Sequence, residues 1–139
     1  MKKIAVTLVA ATSAFAMWAG AASADVFMTG KQVAKEIVGN TIEGQYRECA
    51  ADRNDFQEYY DPDGTIRGRE RPCRMSGSWS RYGGSWEVKD GKFCVTLGSG
   101  RSSGCFDYNI GKDGMLTRYN AVGVTDLKFK VYDGNPDHL

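Results

Sequence analysis

The sequence predicts a mainly β fold, with about eight short antiparallel strands and one N-terminal helix arranged as a sandwich or small barrel. Three observations predict it. Runs of alternating apolar and polar residues recur at a spacing of about 8 to 12 residues, separated by glycine-rich turn signals. The clearest runs lie in 77–110, GSWSRYGGSWEVKDGKFCVTLGSGRSSGCFDYNI. There Phe93, Val95 and Leu97 share one parity against Cys94 and Thr96, while Phe106, Tyr108 and Ile110 alternate with Cys105, Asp107 and Asn109. Finally, four cysteines follow an apolar leader, the combination expected of a small domain stapled by disulfides in an oxidising compartment.

In chain order, residues 1–24 read as a secretory signal peptide: Lys2 and Lys3 form the charged region, 4–22 the apolar run, and Ala22-Ser23-Ala24 the cleavage site. A membrane anchor is the competing reading, disfavoured because the run is alanine-rich and does not end in basic residues. The domain then spans 25–133, and 134–139 read as a flexible tail. Residues 25–39 read as the helix, with Thr29 and Gln32 as a capping box, Met28 and Val33 as a hydrophobic staple, and Gly39 just past the C-terminus. Its stripe of Val33, Ala34, Ile37 and Val38 is that of a lid packed on a sheet, with a partner-binding helix as the alternative.

From Thr41 onward strands and tight turns take over. Strands are expected at 41–47, 55–60 and 65–69, the last two joined by the turn Asp61-Pro62-Asp63-Gly64. The next strand carries Trp79, and Gly83-Gly84 is expected to bend or turn the chain before 85–89. Lys89-Asp90-Gly91 is a hairpin signal leading to 92–97. Residues 98–104 read as a flexible polar tip around Arg101, after which 105–110, 115–120 and 127–132 complete the set. Because each hairpin leads to the next, an up-and-down meander closing on itself is the simplest topology, and closure removes exposed edges.

The same alternation turns Cys94 and Cys105 away from the apolar sides of neighbouring strands, as a cross-strand disulfide requires, which leaves Cys49 to pair with Cys73. No Cys-x-x-Cys occurs and the single histidine, His138, lies in the expected tail, so neither a metal nor a cofactor is expected. The chain carries 18 Lys plus Arg against 17 Asp plus Glu, and loss of the leader brings its net charge to about −1. That balance argues against nucleic acid or a membrane surface as partner. With the cysteines assigned to disulfides and His138 in the tail, no catalytic constellation emerges, and a non-enzymatic monomer is expected.

Residues 39–41, 59–65 and 84–94, together with Cys105, carry Gly-Asn-Thr, a tyrosine pair running into Asp-Pro-Asp-Gly-Thr, and Gly-Ser-Trp-Glu-Val-Lys-Asp-Gly-Lys-Phe-Cys. In these motifs the chain resembles a proteobacterial family of small periplasmic proteins of unknown function, which implies a lipocalin-like β-fold and export to the periplasm. A looser likeness rests on the signal peptide and on a Gly-x-Trp unit followed by a cysteine-bearing strand. In these the chain is similar to the periplasmic barrels that inhibit secreted metalloproteases, which implies an inhibitor-like role. It departs from them in its two expected disulfides, its leading helix and the lack of a recognisable inhibitory arm.

Arg67, Arg69 and Arg71 alternate on one strand and would project from one face, a stripe suited to a carboxylate, a phosphate or an acidic partner. With Arg74 and Arg81 they form the densest positive cluster, and solvated arginines screened by Glu70 are the bland alternative. Trp79 and Tyr82, beside Arg81, read as an aromatic flank, whereas Trp86 shares parity with Val88 and reads as core. Asp61-x-Asp63-Gly64 lacks the spacing of a calcium loop and reads as a turn. The expected function is therefore that of a periplasmic binding or inhibitor-like protein, recognising a protein or anionic partner through Arg67, Arg69, Arg71, Trp79, Arg81 and Tyr82. The alternative is a carrier of a small apolar ligand, in a cavity lined by Phe93, Val95, Phe106 and Tyr108.

Overall fold

The computed structural model describes residues 26–46, 54–72, 78–98 and 101–139. Helix α1 (Gly30–Ile37) is followed by strands β1 (Thr41–Tyr46), β2 (Asn54–Tyr60), β3 (Thr65–Pro72), β4 (Ser80–Lys89), β5 (Lys92–Leu97), β6 (Gly104–Ile110), β7 (Leu116–Tyr119) and β8 (Thr125–Tyr132). Each strand pairs antiparallel with the next, and β8 returns to pair with β1 from Thr41↔Tyr132 to Tyr46↔Leu127. The meander therefore closes into a barrel, and every strand has both edges satisfied.

Closure dictates where side chains go, because alternate residues of each strand must face the interior. Ile42, Phe56, Tyr60, Ile66, Phe93, Val95, Tyr108, Leu116, Leu127 and Phe129 are buried there as one cluster. Phe93 sits at its centre: Trp86 stacks on it at 5.5 Å between ring centroids, and Tyr108 meets it edge-on at 6.1 Å. Trp86 is thus a core residue, and its Nε1 donates to the Asp61 carbonyl over 2.8 Å. The residues expected to wall an apolar cavity, Phe93, Val95 and Tyr108, are instead buried in this cluster with Phe106 packed against it.

Helix α1 caps one end of the barrel. Thr29 and Gln32 form the reciprocal capping box, and Gly39 takes a φ of 81°, which a side-chain-bearing residue adopts only with strain. Backbone bonds from Gly30 N–H to the Gly91 carbonyl (2.7 Å) and from Gly39 N–H to the Tyr60 carbonyl (2.7 Å) tie its two ends to two hairpin turns. Between those ties, Val33 and Ile37 are fully buried in the core cluster, so the apolar stripe is spent on the barrel. Burying two such side chains contributes roughly 3 to 6 kcal/mol as an upper bound.

Cys94 and Cys105 are register partners on β5 and β6 and form a disulfide across 3.9 Å between Cα atoms, opposite in parity to Phe93 and Phe106. Cys49 and Cys73 lie outside the described residues, as do the leader and Arg74.

Two stretches of backbone differ from the sequence reading. Gly83-Gly84 neither bends nor turns the chain but lies inside one ten-residue strand, β4. A Cβ on Gly84 would lie 2.8 Å from Leu97 Cδ2 and closer still to the Thr96 carbonyl oxygen, so glycine serves close strand approach there, not a turn. Residues 134–139, expected as a flexible tail, fold back onto the barrel. Gly134 N–H donates to Asn40 Oδ1 (3.0 Å), Thr41 Oγ1 donates to the Gly134 carbonyl (2.7 Å), and Leu139 is buried. Asn135 makes this possible by accepting from Leu139 N–H at 2.8 Å and donating to its carbonyl at 3.2 Å, which curls the segment into a local loop.

Candidate functional site

The outward residues of β3 are Arg67, Arg69 and Arg71, because Ile66, Gly68 and Glu70 take the inward parity. Directly beside them on β2 the outward positions are Tyr59, Gln57 and Asp55, paired in register with the three arginines in that order. The outer face is therefore a ladder of guanidinium groups against polar and aromatic partners. Arg67 pairs with Asp61 at 2.6 Å and its guanidinium lies 5.1 Å from the Tyr59 ring centre. Arg69 donates from Nε to Gln57 Oε1 (2.7 Å), and Gln57 Nε2 donates in turn to Glu43 Oε2 (2.5 Å). Arg71 Nε stands 3.9 Å from Asp55 Oδ2, within ion-pair range but too far for a hydrogen bond, and makes none although it is shielded from solvent.

Trp79 joins this face. Its ring centre is 4.6 Å from the Arg69 guanidinium carbon and 4.2 Å from that of Arg71, so one indole is shared by two cations. Trp79 also lines a groove of about 350 Å3 with Arg71, Asp55, Gln57, Glu43, Lys130 and Tyr132. A second hollow of about 250 Å3 shares Glu43, Gln57 and Tyr132 with it and is closed on the far side by Pro136 and Asp137. The two make one track across the outside of β8, β1 and β2, with Trp79 at one end and residues 134–139 at the other. Asp137 Oδ1 reaches the Arg69 guanidinium at 3.0 Å.

The predicted residues divide accordingly. Arg69, Arg71 and Trp79 are brought together at the groove, with Arg67 next along the strand beyond Arg69. Arg81 is exposed on β4 opposite Arg69, extending the positive face without touching Trp79 in any close ring contact. Tyr82 is a correction: it faces inward, its ring lies over the bare backbone of Gly68, and its hydroxyl donates to Glu58 Oε1 at 2.7 Å. Parity decides this, since Tyr82 shares a strand face with Gly84 and Trp86.

The interior holds charge as well. Glu58, only 6% exposed, accepts from Tyr60 Oη on Oε2 (2.7 Å) and from Tyr82 Oη on Oε1. Arg118, 4% exposed, donates to Asp126 from Nε (3.1 Å) and Nη2 (2.9 Å) and lies over the Phe106 ring. Burial, with the neighbouring Glu58 charge, pushes the Tyr60 hydroxyl well above the usual phenol range. Burial likewise raises Tyr108, against the pull of Arg118. Burial opposes the Arg118 charge, yet the fork to Asp126 holds its pKa above the ordinary guanidinium value. Arg101, from the loop after β5, ion-pairs with Glu70 and covers the Tyr82 ring at 4.1 Å. Glu58 with Tyr60 and Tyr82, Arg118 with Asp126, and Arg101 with Glu70 pair off into a buried polar layer that orders the core, with Arg101 Nε alone of these atoms left without a hydrogen bond. Among the described residues no group of three or more His, Cys, Asp or Glu is gathered to hold a metal.

Sequence reading missed Glu43, Gln57, Lys130, Tyr132 and Asp137 because the groove is assembled from strands and a segment far apart in the chain. It also placed no charge in the interior and read Glu70 as a screen for the outward arginines, although Glu58, Glu70 and Arg118 each fall on the apolar parity of their strand, a signal readable from the residues alone. Comparison with protein-family profiles, with curated proteins and with solved structures gives no match to this chain.

Proposed function

We propose that this chain is a non-enzymatic binding protein of the periplasm, with an inhibitor-like mode of action, that recognises a partner protein through the Arg/aromatic outer face of the barrel. The single observation that supports it most is Trp79 shared between Arg69 and Arg71 at the end of a groove of about 350 Å3. An indole between two guanidinium groups offers apolar area, donors and positive charge in one spot, the composition enriched at protein recognition centres. The face stands on a closed barrel, so its geometry is held before binding and little ordering cost follows. Carriage of an apolar ligand finds less support, because Phe93, Val95 and Tyr108 are packed together and the inward, buried Glu58 carboxylate is bonded to the Tyr60 and Tyr82 hydroxyls.

Affinity capture from periplasmic extract tests this reading. The wild-type domain is expected to retain a stoichiometric protein partner, and Trp79→Ala and Arg71→Glu are expected to lose it while the far-ultraviolet spectrum and Tm stay close to wild type. Retention of the same partner by both folded variants overturns the assignment of this face.

A further inference from the structure

The segment 134–139 does more than finish the barrel. It closes the second hollow, which shares Glu43, Gln57 and Tyr132 with the groove that serves the proposed partner site, and it contributes a carboxylate to the central arginine of the cluster: Asp137 Oδ1 stands 3.0 Å from Arg69. Arg69 is otherwise committed to Gln57 and to the Trp79 ring, so its remaining guanidinium edge is the one Asp137 occupies. The hollow beneath the segment is lined by Thr41, Glu43, Gln57 and Tyr132 and runs into the larger groove. A curled piece of polypeptide with one acidic side chain is therefore already seated on this face.

We propose that residues 135–139 are a tethered competitor, and that the partner segment they mimic is an acidic peptide whose carboxylate takes the place of Asp137 on Arg69. This rests on the reading of the outer face as the partner site. Three features favour a peptide with isolated acids. Glu43 and Asp55 line the track alongside Arg71 and Lys130 and would accept peptide N–H donors, whereas the closely spaced phosphates of a nucleic acid would be repelled there. Arg71 lines the groove with its Nε buried and making no hydrogen bond, so a shift of this side chain toward an incoming carboxylate breaks none at that atom. Asp137, 39% exposed at its side chain, is held by one ion pair in solvent, a bond weak enough to exchange.

Competition of this kind has a quantitative signature: apparent affinity rises by the factor by which the docked form of the segment is weakened. The experiment titrates a labelled peptide of alternating Glu and Ser into the full mature chain and reads anisotropy. Asp137→Asn is expected to bind about threefold more tightly than wild type, and Leu139→Ser, which removes the buried anchor, about tenfold more tightly. Adding Arg69→Gln to either is expected to abolish the gain. Equal affinities for wild type, Asp137→Asn and Leu139→Ser, with binding still lost in Trp79→Ala, overturn the competitor and leave the partner face intact. Binding indifferent to Arg69→Gln, Arg71→Glu and Trp79→Ala overturns both.

Discussion

Raising the pH tests the buried polar layer most directly. Tyr60 and Tyr108 are 3% and 2% exposed, and burial lifts both hydroxyls above the phenol value of about 10 that the unfolded chain has. A group whose folded pKa is raised contributes stability that is complete below the unfolded pKa and is lost as pH climbs through and beyond it, so the loss begins near pH 10. With the native phenols still protonated at about pH 11, each unfolded tyrosine gains about 1.4 kcal/mol from ionising, or roughly 3 kcal/mol for the pair. Urea unfolding followed by near-ultraviolet circular dichroism, at about pH 9 and about pH 11, measures this. The double variant Tyr60→Phe, Tyr108→Phe corrects for lysines and exposed tyrosines, and its stability is expected to fall by roughly 3 kcal/mol less over the same interval. Tyrosinate absorbance of the folded wild type should reveal two fewer ionised phenols than that of the unfolded chain. Equal pH slopes for wild type and double variant would refute the premise that both hydroxyls are held protonated by the core.

Three other outcomes follow from the packing. Replacing Cys94 and Cys105 together by serine opens a loop with a separation of 11 residues and is expected to cost about 2 to 3 kcal/mol in urea unfolding; a loss under about 0.5 kcal/mol would show that strand pairing alone holds β5 to β6. Gly84→Ala places a methyl against Leu97 and the Thr96 carbonyl, and should destabilise the barrel by about 1 to 3 kcal/mol, whereas Gly83→Ala meets its nearest atom at 3.5 Å and should be nearly neutral. Arg118→Met is expected to cost about 2 kcal/mol and Arg118→Met with Asp126→Leu clearly less, a double-mutant cycle whose additivity would show the fork to be energetically idle.

Much of the fold was legible because strand alternation is a local signal. The parity of Phe93, Val95 and Phe106 fixed which way Cys94 and Cys105 point, and the bond between them follows from that geometry. The Thr29 capping box and the Asp90-Gly91 turn were likewise readable within a few residues. Gly83-Gly84 was misread because a glycine pair signals a turn and close strand approach equally well, and only the neighbouring Thr96 and Leu97 decide between them. Parity could have sent Tyr82 inward, yet polar neighbours at Ser80 and Arg81 suggested a wet flank. The folded-back segment was opaque for another reason: its anchors Asn40 and Thr41 lie 94 and 93 residues from Gly134 in the chain, and Arg69, which holds Asp137, is on a third distant stretch. Of the site itself, the arginine row and Trp79 were visible, while the walls contributed by β1 and β8 appear only once the sheet closes.

The seam between β1 and β8 carries a kinetic consequence. Among the described strands every other ladder joins chain neighbours, so each can zip as an independent hairpin on a microsecond scale, whereas this one must bring together residues such as Thr41 and Tyr132 from opposite ends of the domain. Loop-closure entropy therefore falls on a single step, and that step also assembles the outer track, since Glu43 and Lys130 become neighbours only across it. An intermediate with seven ladders formed would hold the arginine row but lack a groove, and maturation of the binding face would coincide with the last event of folding.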